Sequence, residues 1–313
     1  MHISNLQRRR LLIASVSAAF STVPLTRLHA KTRDSVSGHF AALEQRVGGR
    51  IGVYALDTAS GAHIAHRADE RFGMCSTFKL PLAAAILRAV DQGRLRPDQF
   101  VPFTKKDLVA HSPVTRDNLA AGGMTVIELA KAAQMESDNG AANLLLALLG
   151  GPAGFTAILR ELGDTKTRLD RYEPHMNLLL NGDPRDTTTP AAMSQTIRTM
   201  LTSAWLAPAS RELLISWMIA TETGRKRLRA GFPSTWRAGD KTGTGMARGM
   251  KDKYNDIAIA WRNAASPAST AGAPIIVSAF YETGVAHGKM RDEDQAVLAS
   301  VGRIIATWAS AGA

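Results

Sequence analysis

Apolar positions along the chain follow two different periods. Between Ser76 and about Thr221 they recur every three or four residues, with glycine and proline as interruptions, which is typical of helices. The pattern predicts one helix from Ser76 to near Asp91 and five more over residues 125–134, 141–150, 152–163, 189–201 and 208–220. The middle of the chain is therefore expected to be helical.

Alternating patterns, typical of strands, stand on both sides of this helical part. Residues 50–57 and 62–67 flank Thr58-Ala59-Ser60-Gly61 as in a hairpin, behind a helix predicted over residues 40–47. Later strands are predicted over 235–245, 255–263 and 274–283, with a surface loop at 265–274 and a final helix over about 291–309. Short links between consecutive strands favour antiparallel pairing.

The order of these elements predicts a two-domain α/β protein. A mixed α/β domain would be built from residues 31–70 and 222–313, with an all-helical domain at residues 71–221 inserted between them. Residues 164–186 lie inside the helical part but show no period, and loops of this length in a compact domain are often functional. A cleft between two such domains is where ligands usually bind.

The first thirty residues differ from the rest and predict an export signal. Arg8-Arg9-Arg10 precede an apolar run that ends with small residues, and cleavage is expected after Ala30. The run is too short for a permanent membrane anchor, so a periplasmic location is expected. The paired arginines fit the twin-arginine route, and export by the Sec route fits as well.

Composition and charge exclude several classes of function. The net charge of +11 would suit nucleic acid, but an export signal argues against that partner, and aromatic residues are not interleaved with the basic ones. Cys75 is the single cysteine, so the chain forms no internal disulfide. His63 and His66 would face opposite sides of a strand, and neither a metal nor a cofactor is expected. The exported protein is expected to be a monomer.

Ser76 and Lys79 form the first motif that carries chemistry. Their spacing places both side chains on one face of a helix, one turn apart, at the start of that helix. A serine hydroxyl becomes a nucleophile when a neighbour takes its proton, and a desolvated lysine is neutral enough to do so. A chain of this length holds about one S-x-x-K by chance, so the motif needs support from elsewhere.

Two further motifs follow along the chain. Ser137-Asp138-Asn139 falls in a break between two helices, where it either caps the next helix or supplies a proton relay and an amide for a substrate carbonyl. Lys241-Thr242-Gly243, followed by Thr244, falls in a strand. There the glycine would let a substrate backbone approach an edge strand, while the lysine and threonine would bind a carboxylate.

Together and in this order, the three motifs are the set found in class A β-lactamases and penicillin-binding proteins. The chain resembles a class A serine β-lactamase over nearly all of its length after the export signal, with "STFK", "SDN", "RYEPHMN", "DTTTP" and "GDKTGTG" in the family's order and spacing. The resemblance implies a five-stranded antiparallel sheet flanked by helices, with an inserted all-helical domain. It also implies hydrolysis of the β-lactam ring of penicillin- and cephalosporin-type antibiotics, and hence antibiotic resistance, with these small molecules as the binding partners.

The resemblance implies a role for each motif residue. Ser76 would attack the lactam carbonyl, with Lys79 or a water held by Glu173 taking its proton. The backbone N–H groups of Ser76 and Thr244 would hold the oxyanion, Ser137 would pass a proton to the departing nitrogen, and Glu173 would activate the hydrolytic water. The implied substrate-binding residues are Asn139, Asn177, Lys241, Thr242 and Thr244.

Other positions rest on shorter contexts. Arg171 and Asp186 match the pair that ties the ends of the family's omega-shaped loop. Many members carry a substrate-binding arginine on the strand after "KTG", but this strand reads Tyr254-Asn255-Asp256, so Arg229 in "RAGFP" is expected to bind the substrate carboxylate instead. His111 is either a residue at the cleft rim that stacks on substrates or an ordinary exposed histidine.

Two alternative functions share the three motifs. A DD-peptidase of the penicillin-binding kind lacks the loop glutamate, and a non-enzymatic β-lactam sensor domain keeps its acyl group and needs a membrane segment for signalling. Glu173 in the loop, and the lack of a second apolar run of spanning length after Ala30, favour the β-lactamase.

Overall fold

The chain is described by a computed structural model over residues 38–179, 182–262 and 272–311. The predicted export signal and most of the predicted surface loop at 265–274 lie outside the described residues. Helix α1, described from residue 38 to residue 47, precedes the first strand.

The described residues contain nine strands, and five of them form one antiparallel sheet in the order β2-β1-β9-β8-β7. These five are β1 (Arg50–Asp57), β2 (His63–His66), β7 (Arg237–Gly245), β8 (Lys253–Trp261) and β9 (Ile275–Glu282). The other four pair two by two: β3 (Phe72–Gly73) with β6 (Thr187–Thr188), and β4 (Phe100–Pro102) with β5 (Gly123–Thr125). Because β9 lies between β1 and β8, both ends of the chain build one sheet, and this confirms the predicted fold class.

Helices fill the stretch between β3 and β7. They are α2 (Lys79–Asp91), α3 (Pro113–Asp117), α4 (Val126–Met135), α5 (Asn139–Leu148), α6 (Gly151–Glu161), α7 (Pro190–Thr202) and α8 (Pro208–Ala220). Thr125 starts α4 in a capping box with Glu128, and Asp138 starts α5 by accepting the N–H of Ala141 at 2.8 Å. Two helices follow at the C-terminal end, the short α9 (Leu228–Gly231) and the long α10 (Asp292–Ala311).

The sheet separates two hydrophobic clusters. The larger cluster joins α2 and α4 to α8 with one face of the sheet, where Ile257 and Phe280 point. The smaller cluster joins α1 and α10 with the opposite face, where Ala258 and Tyr281 point. Successive strand residues face opposite sides, so adjacent positions of β8 and β9 belong to different clusters. The sheet therefore has no solvent-facing side at these positions.

Within the described residues, no single helix is long and apolar enough to cross a membrane. Helices α5 and α6 would pass the same test of length and composition as a pair, with a bend of 71° between them.

Candidate active site

Ser76 lies in a 3-10 turn, Cys75–Phe78, that leads directly into α2 at Lys79. The Nζ atom of Lys79 lies 2.9 Å from the Oγ atom of Ser76, which is hydrogen-bonding distance. The turn is held from β8, because the side-chain amide of Asn255 donates to two backbone carbonyls just before the turn, at 2.8 and 3.0 Å. The sequence placed Ser76 in the helix itself, whereas the structure places it one turn earlier.

Lys79 is fully buried and surrounded by polar partners. Its Nζ donates to the backbone carbonyl of Ser137 at 2.8 Å and to the side-chain oxygen of Asn139, and it lies 3.1 Å from Oε1 of Glu173. Burial lowers the pKa of Lys79 below its usual value, while the charge of Glu173 opposes that shift. Lys79 is therefore closer to neutrality than a surface lysine and is placed to exchange a proton with Ser76.

Ser137 lies between two lysines. Its Oγ receives a hydrogen bond from Lys241 at 3.1 Å and one from Lys79 at 3.4 Å. Ser137 has φ of 57°, in the left-handed region, and Asp138 directly after it caps α5. Burial, followed by the charge of Lys79, lowers the pKa of Lys241 to about 7. The hydroxyl of Ser137 thus connects the nucleophile side of the site with β7.

Glu173 is 2% exposed, so it is not a surface residue of a polar loop. Its Oε2 accepts a hydrogen bond from the side chain of Asn177 at 2.6 Å. Its backbone is held from α5, because Asn143 accepts from the N–H of Glu173 at 3.0 Å and donates to its carbonyl at 2.9 Å. Asn143 lies one turn after Asn139, and the sequence analysis did not single it out.

The ends of the loop that carries Glu173 are tied together. Arg171 Nε lies 2.5 Å from Oδ2 of Asp186, and the other oxygen of Asp186 accepts the backbone N–H groups of Asp170 and Arg171 at 2.7 and 3.0 Å. Asp186 is fully buried. These contacts join Asp170 and Arg171 to Asp186, which is the tie expected from the sequence.

Strand β7 is an edge strand, as expected, and it packs directly against the turn of Ser76. A Cβ atom at Gly243 would lie 2.7 Å from the carbonyl oxygen of Met74 and 3.1 Å from the backbone nitrogen of Thr77. Only glycine permits so close an approach. A Cβ atom at Gly245 would likewise lie 2.8 Å from Sγ of Cys75, so β7 runs close to this turn on both sides of Thr244.

Among the residues that the structure describes, no group of three or more His, Cys, Asp or Glu side chains is arranged to hold a metal ion.

Comparisons with known proteins agree with this geometry. The model of a protein family described as "Beta-lactamase enzyme family" matches residues 36–309 of the chain. β-Lactamase L2 of Stenotrophomonas maltophilia is 44% identical over 310 residues, covering 96% of this chain and 98% of that protein. The solved structure of an ancestral class A β-lactamase (GNCA) is 52% identical with a TM-score of 0.79, covering 87% of this chain and 99% of that one. The chain belongs to the class A serine β-lactamase family.

Two further relatives extend this comparison. The carbapenem-hydrolysing β-lactamase KPC of Klebsiella oxytoca is 41% identical over 303 residues, with 96% of each protein covered. A β-lactamase structure from Burkholderia vietnamiensis has a TM-score of 0.81 at 41% identity, covering 89% of this chain and 98% of that one. The protein is a serine β-lactamase that opens the β-lactam ring of antibiotics and so confers resistance. The family membership favours this function over the two alternatives, a DD-peptidase and a sensor domain.

Arg229 of this β-lactamase is not placed as the sequence suggested. Its guanidinium lies 2.7 Å from Asp240, and its two terminal nitrogens donate to the backbone carbonyls of Ile219 and Thr221, so both terminal nitrogens are already engaged within the protein. The preceding arginine, Arg227, contacts β7 instead.

Arg227 reaches the strand that lines the β-lactamase site. Its Nη2 donates to Oγ1 of Thr244 at 2.6 Å, and its Nη1 donates to the carbonyls of Gly243 and Asn255 at 2.9 and 2.7 Å. Arg227 precedes α9 and has a non-helical backbone conformation, whereas Arg229 lies within the helix. The two guanidinium groups therefore point in different directions and contact different neighbours. The sequence contained both arginines, but their spacing alone did not show which one faces β7.

The remaining predicted residues line the same region of the β-lactamase. Thr242 is buried and donates to the hydroxyl of Thr223 at 2.9 Å. His111 is exposed, with φ of 58°, and its backbone carbonyl accepts the N–H of Asn139 at 2.9 Å. Its ring nitrogen lies 3.1 Å from the carbonyl oxygen of Glu136. The structure thus attaches His111 to the Ser137 segment at the surface.

Proposed function

We propose that this β-lactamase works through an ester on Ser76 that Glu173 helps to hydrolyse. The observation that carries the proposal is the position of one buried amine, Lys79 Nζ, 2.9 Å from Ser76 Oγ and 3.1 Å from Glu173 Oε1. The attacking hydroxyl and the carboxylate therefore share one site for proton exchange. Such an arrangement serves two successive proton transfers, one for acylation and one for hydrolysis.

In the first step, Ser76 Oγ attacks the lactam carbonyl carbon. Its proton passes to Lys79, or through a water to Glu173, and the carbonyl oxygen becomes an oxyanion that the N–H groups of Ser76 and Thr244 would receive. The carbon–nitrogen bond of the lactam then breaks. Ser137 supplies a proton to the departing nitrogen and is resupplied by one of the two lysines that donate to it at 3.1 and 3.4 Å.

In the second step, a water attacks the ester carbonyl. Glu173 takes a proton from this water, and the hydrogen bond from Asn177 at 2.6 Å fixes the carboxylate while it does so. The ester bond breaks, Ser76 Oγ recovers a proton from Lys79, and the proton that Glu173 took passes to Lys79 across the 3.1 Å between them, so both groups return to their starting states. The side chain of Asn139 would hold the substrate amide, as expected from the sequence.

The carboxylate that penicillins and cephalosporins carry would bind beside β7. Lys241, Thr242 and Thr244 point donors to this region, and Arg227 supports Thr244 at 2.6 Å. In this proposal Arg227 replaces Arg229 as the arginine that attracts the substrate carboxylate, because Arg227 is the one that contacts Thr244 on β7. An arginine suits this role since charged hydrogen bonds to a carboxylate are stronger than neutral ones. The exposed ring of His111 would border the same opening.

Two variants separate the steps. Ser76→Ala should remain unmodified after brief mixing with a penicillin and lose roughly a millionfold in turnover, because the nucleophile is absent. Glu173→Ala should still be acylated but release product about a hundred- to ten-thousandfold more slowly, since general-base help is lost. Mass spectrometry should therefore show Glu173→Ala, and not Ser76→Ala, heavier by one intact ligand.

A matched control is Glu161→Ala, which changes an exposed glutamate of α6. It should turn over penicillin like the parent. If Glu173→Ala clears its ester as fast as this control, Glu173 is not the general base. If Ser76→Ala gains the mass of a ligand, the nucleophile is another residue.

We also propose that the mature enzyme is a monomer without a permanent membrane anchor in the periplasm. The proposal is supported by the basic and apolar pattern of residues 1–30. Cell fractionation should find the shortened chain in the periplasmic fraction, and sedimentation should give the mass of one chain. Retention of the full-length chain in the membrane fraction would contradict the periplasmic location, and a sedimentation mass of two or more chains would contradict the monomer.

A further inference from the structure

Three buried charged side chains and a partly buried fourth, Arg229, lie together behind the carboxylate-binding end of the site. Arg227 precedes α9, Arg229 belongs to α9, Asp240 belongs to β7 and Asp256 belongs to β8. Arg227 is 2% exposed, and both aspartates are 0% exposed. Charged side chains are rarely buried so completely unless they are paired. The catalytic steps proposed above use neither aspartate.

Three of the four oxygens of the two carboxyl groups lack a hydrogen-bond donor. Asp256 Oδ2 accepts the backbone N–H of Leu228 at 3.0 Å, and Asp240 Oδ1 lies 2.7 Å from Arg229 Nη2 without hydrogen-bond alignment. Among the described residues, no N–H or O–H group donates a hydrogen bond to either oxygen of Asp240 or to Oδ1 of Asp256. Gly224 covers Asp240 so closely that a Cβ there would lie 1.4 Å from Oδ2.

The missing donor is supplied if the carboxyl groups bond to one another. Asp240 pairs opposite Ala258 and Asp256 opposite Thr242 in the β7–β8 ladder, so the two aspartates are diagonal neighbours on one face of the sheet and their side chains can reach one another. Two ionised carboxylates only accept hydrogen bonds, so this contact requires a proton on one of them. Burial raises the pKa of Asp240 well above its usual value, with the charge of Asp256 adding to the shift, and burial also raises the pKa of Asp256.

We propose that Asp240 and Asp256 hold a single proton between them, and that this pair positions Arg227 and Arg229 while leaving their positive charge partly unneutralised for the substrate carboxylate. Asp256 is then a positioning residue that acts through Arg227 and Thr244. The inference rests on the proposed role of Arg227 in substrate binding.

The charge balance follows from the groups around the pair. Those that face it are Arg227, Arg229 and Lys241. The sole charge carried by the aspartate pair would be −1, against two guanidinium groups, so the region beside Thr244 stays positive and attracts an anion. From α10, which packs on β8, Asp294 lies 3.6 Å from Arg291 rather than joining this cluster.

Infrared spectroscopy tests the shared proton without any need for catalysis. The parent enzyme, labelled with carbon-13 at the aspartate carboxyl groups, should show the carbonyl band of a buried protonated carboxylic acid. Asp256→Asn should lose this band, because the amide donates to Asp240 in place of the proton. Asp57→Asn, a buried aspartate of β1 that pairs with Arg262 at 2.8 Å, is the matched control and should keep the band.

Kinetics test the positioning role. Asp256→Asn carries the same charge as the protonated side chain, so KM for a penicillin should stay within about twofold of the parent value. Asp256→Ala leaves Asp240 without its donor and should raise KM about tenfold, the effect of losing one charged hydrogen bond, with a smaller change in kcat. Asp256→Leu keeps the bulk of the side chain without a donor and should raise KM as alanine does, a result that is not expected of a residue that merely fills space.

Three outcomes overturn the proposal. They are the absence of a protonated-acid band in the parent, survival of that band in Asp256→Asn, and a fall in KM of about tenfold in Asp256→Asn, as expected if both aspartates were ionised. If Asp256→Ala does not fold, the infrared band of the parent and the KM of Asp256→Asn still test the proposal. A failure of the Glu173 experiment would leave the infrared result unaffected, so the two proposals fail separately.

Discussion

At the scale of single residues, the site is unusual in burying two lysines beside one hydroxyl. Lys79 and Lys241 are both 0% exposed and both donate to Ser137. Burial penalises the ammonium form of each lysine, and the charge of Lys79 adds to the penalty on Lys241. The two amines therefore give up protons more easily than surface lysines, which suits a site that must move protons near neutral pH.

The pKa of Lys241, about 7, gives a prediction with a definite sign. Lys241 is charged below this pH and neutral above it, so KM for a penicillin should rise as the pH increases from about 6 to about 9. Lys241→Arg keeps its charge over the same range, so its KM should stay nearly constant. Steady-state kinetics across the range provide the measurement. A parent KM that is as flat as that of Lys241→Arg would show that the charge of Lys241 does not bind the substrate.

Residue identities were predictable where a motif fixes both type and spacing. Ser76, Lys79, Ser137 and Lys241 meet in one site because each motif lies at the start of a helix or on an edge strand. Arg229 was expected at the site from its context in "RAGFP", but that context does not report the backbone turn before α9, which directs Arg227 to β7. The buried pair Asp240 and Asp256 could not be found either, since the two residues come from neighbouring strands and share no motif.

At the scale of elements, catalysis depends on how closely β7 approaches the turn of Ser76. Gly243→Ala would place a Cβ 2.7 Å from the carbonyl oxygen of Met74, so the strand or the turn must move. Overpacking of this kind costs about 1–3 kcal/mol of stability. We expect activity to fall much more than stability, because the oxyanion site lies between the two displaced segments. Gly38→Ala, where nothing lies within 4 Å, is the control and should leave activity unchanged.

Hydrogen exchange and kinetics together check this prediction. The amides of β7 and of the turn should exchange faster in Gly243→Ala, while those of α10 should not. An active Gly243→Ala enzyme with parental exchange rates would mean that the strand has room to accommodate the methyl group.

Long elements were easier to predict than short ones, for a physical reason. Helices such as α4 and α8 bury a repeating apolar face, and that repeat is visible in the sequence. The pair β3–β6 is two residues long on each strand, and it forms because the fold brings Gly73 and Thr187 together from distant parts of the chain. Tertiary contact, rather than local pattern, creates such elements.

At the scale of the whole molecule, the sheet belongs to both hydrophobic clusters. Ile257 and Ile259 of β8 pack on the helical side, while Ala258 between them packs on the side of α1 and α10. Neither side can lose its packing without uncovering the sheet for the other. The domain boundaries near residues 70 and 222 stay a prediction, but the two parts are not expected to unfold independently.

A pair of core variants tests this coupling. Ile305→Ala removes a fully buried side chain of α10 from the smaller cluster, and Leu129→Ala removes one of α4 from the larger cluster. Each should lower the free energy of unfolding by about 2–5 kcal/mol, because a cavity remains where the side chain packed. Circular dichroism of the helices and tryptophan fluorescence should report one shared transition in both variants, shifted to lower temperature. Their kcat at 25 °C should stay near the parent value, since neither side chain lines the site. Two separate transitions in Ile305→Ala, with the helical signal melting at the parental temperature, would show that the helical part is stable without the sheet packing of α10.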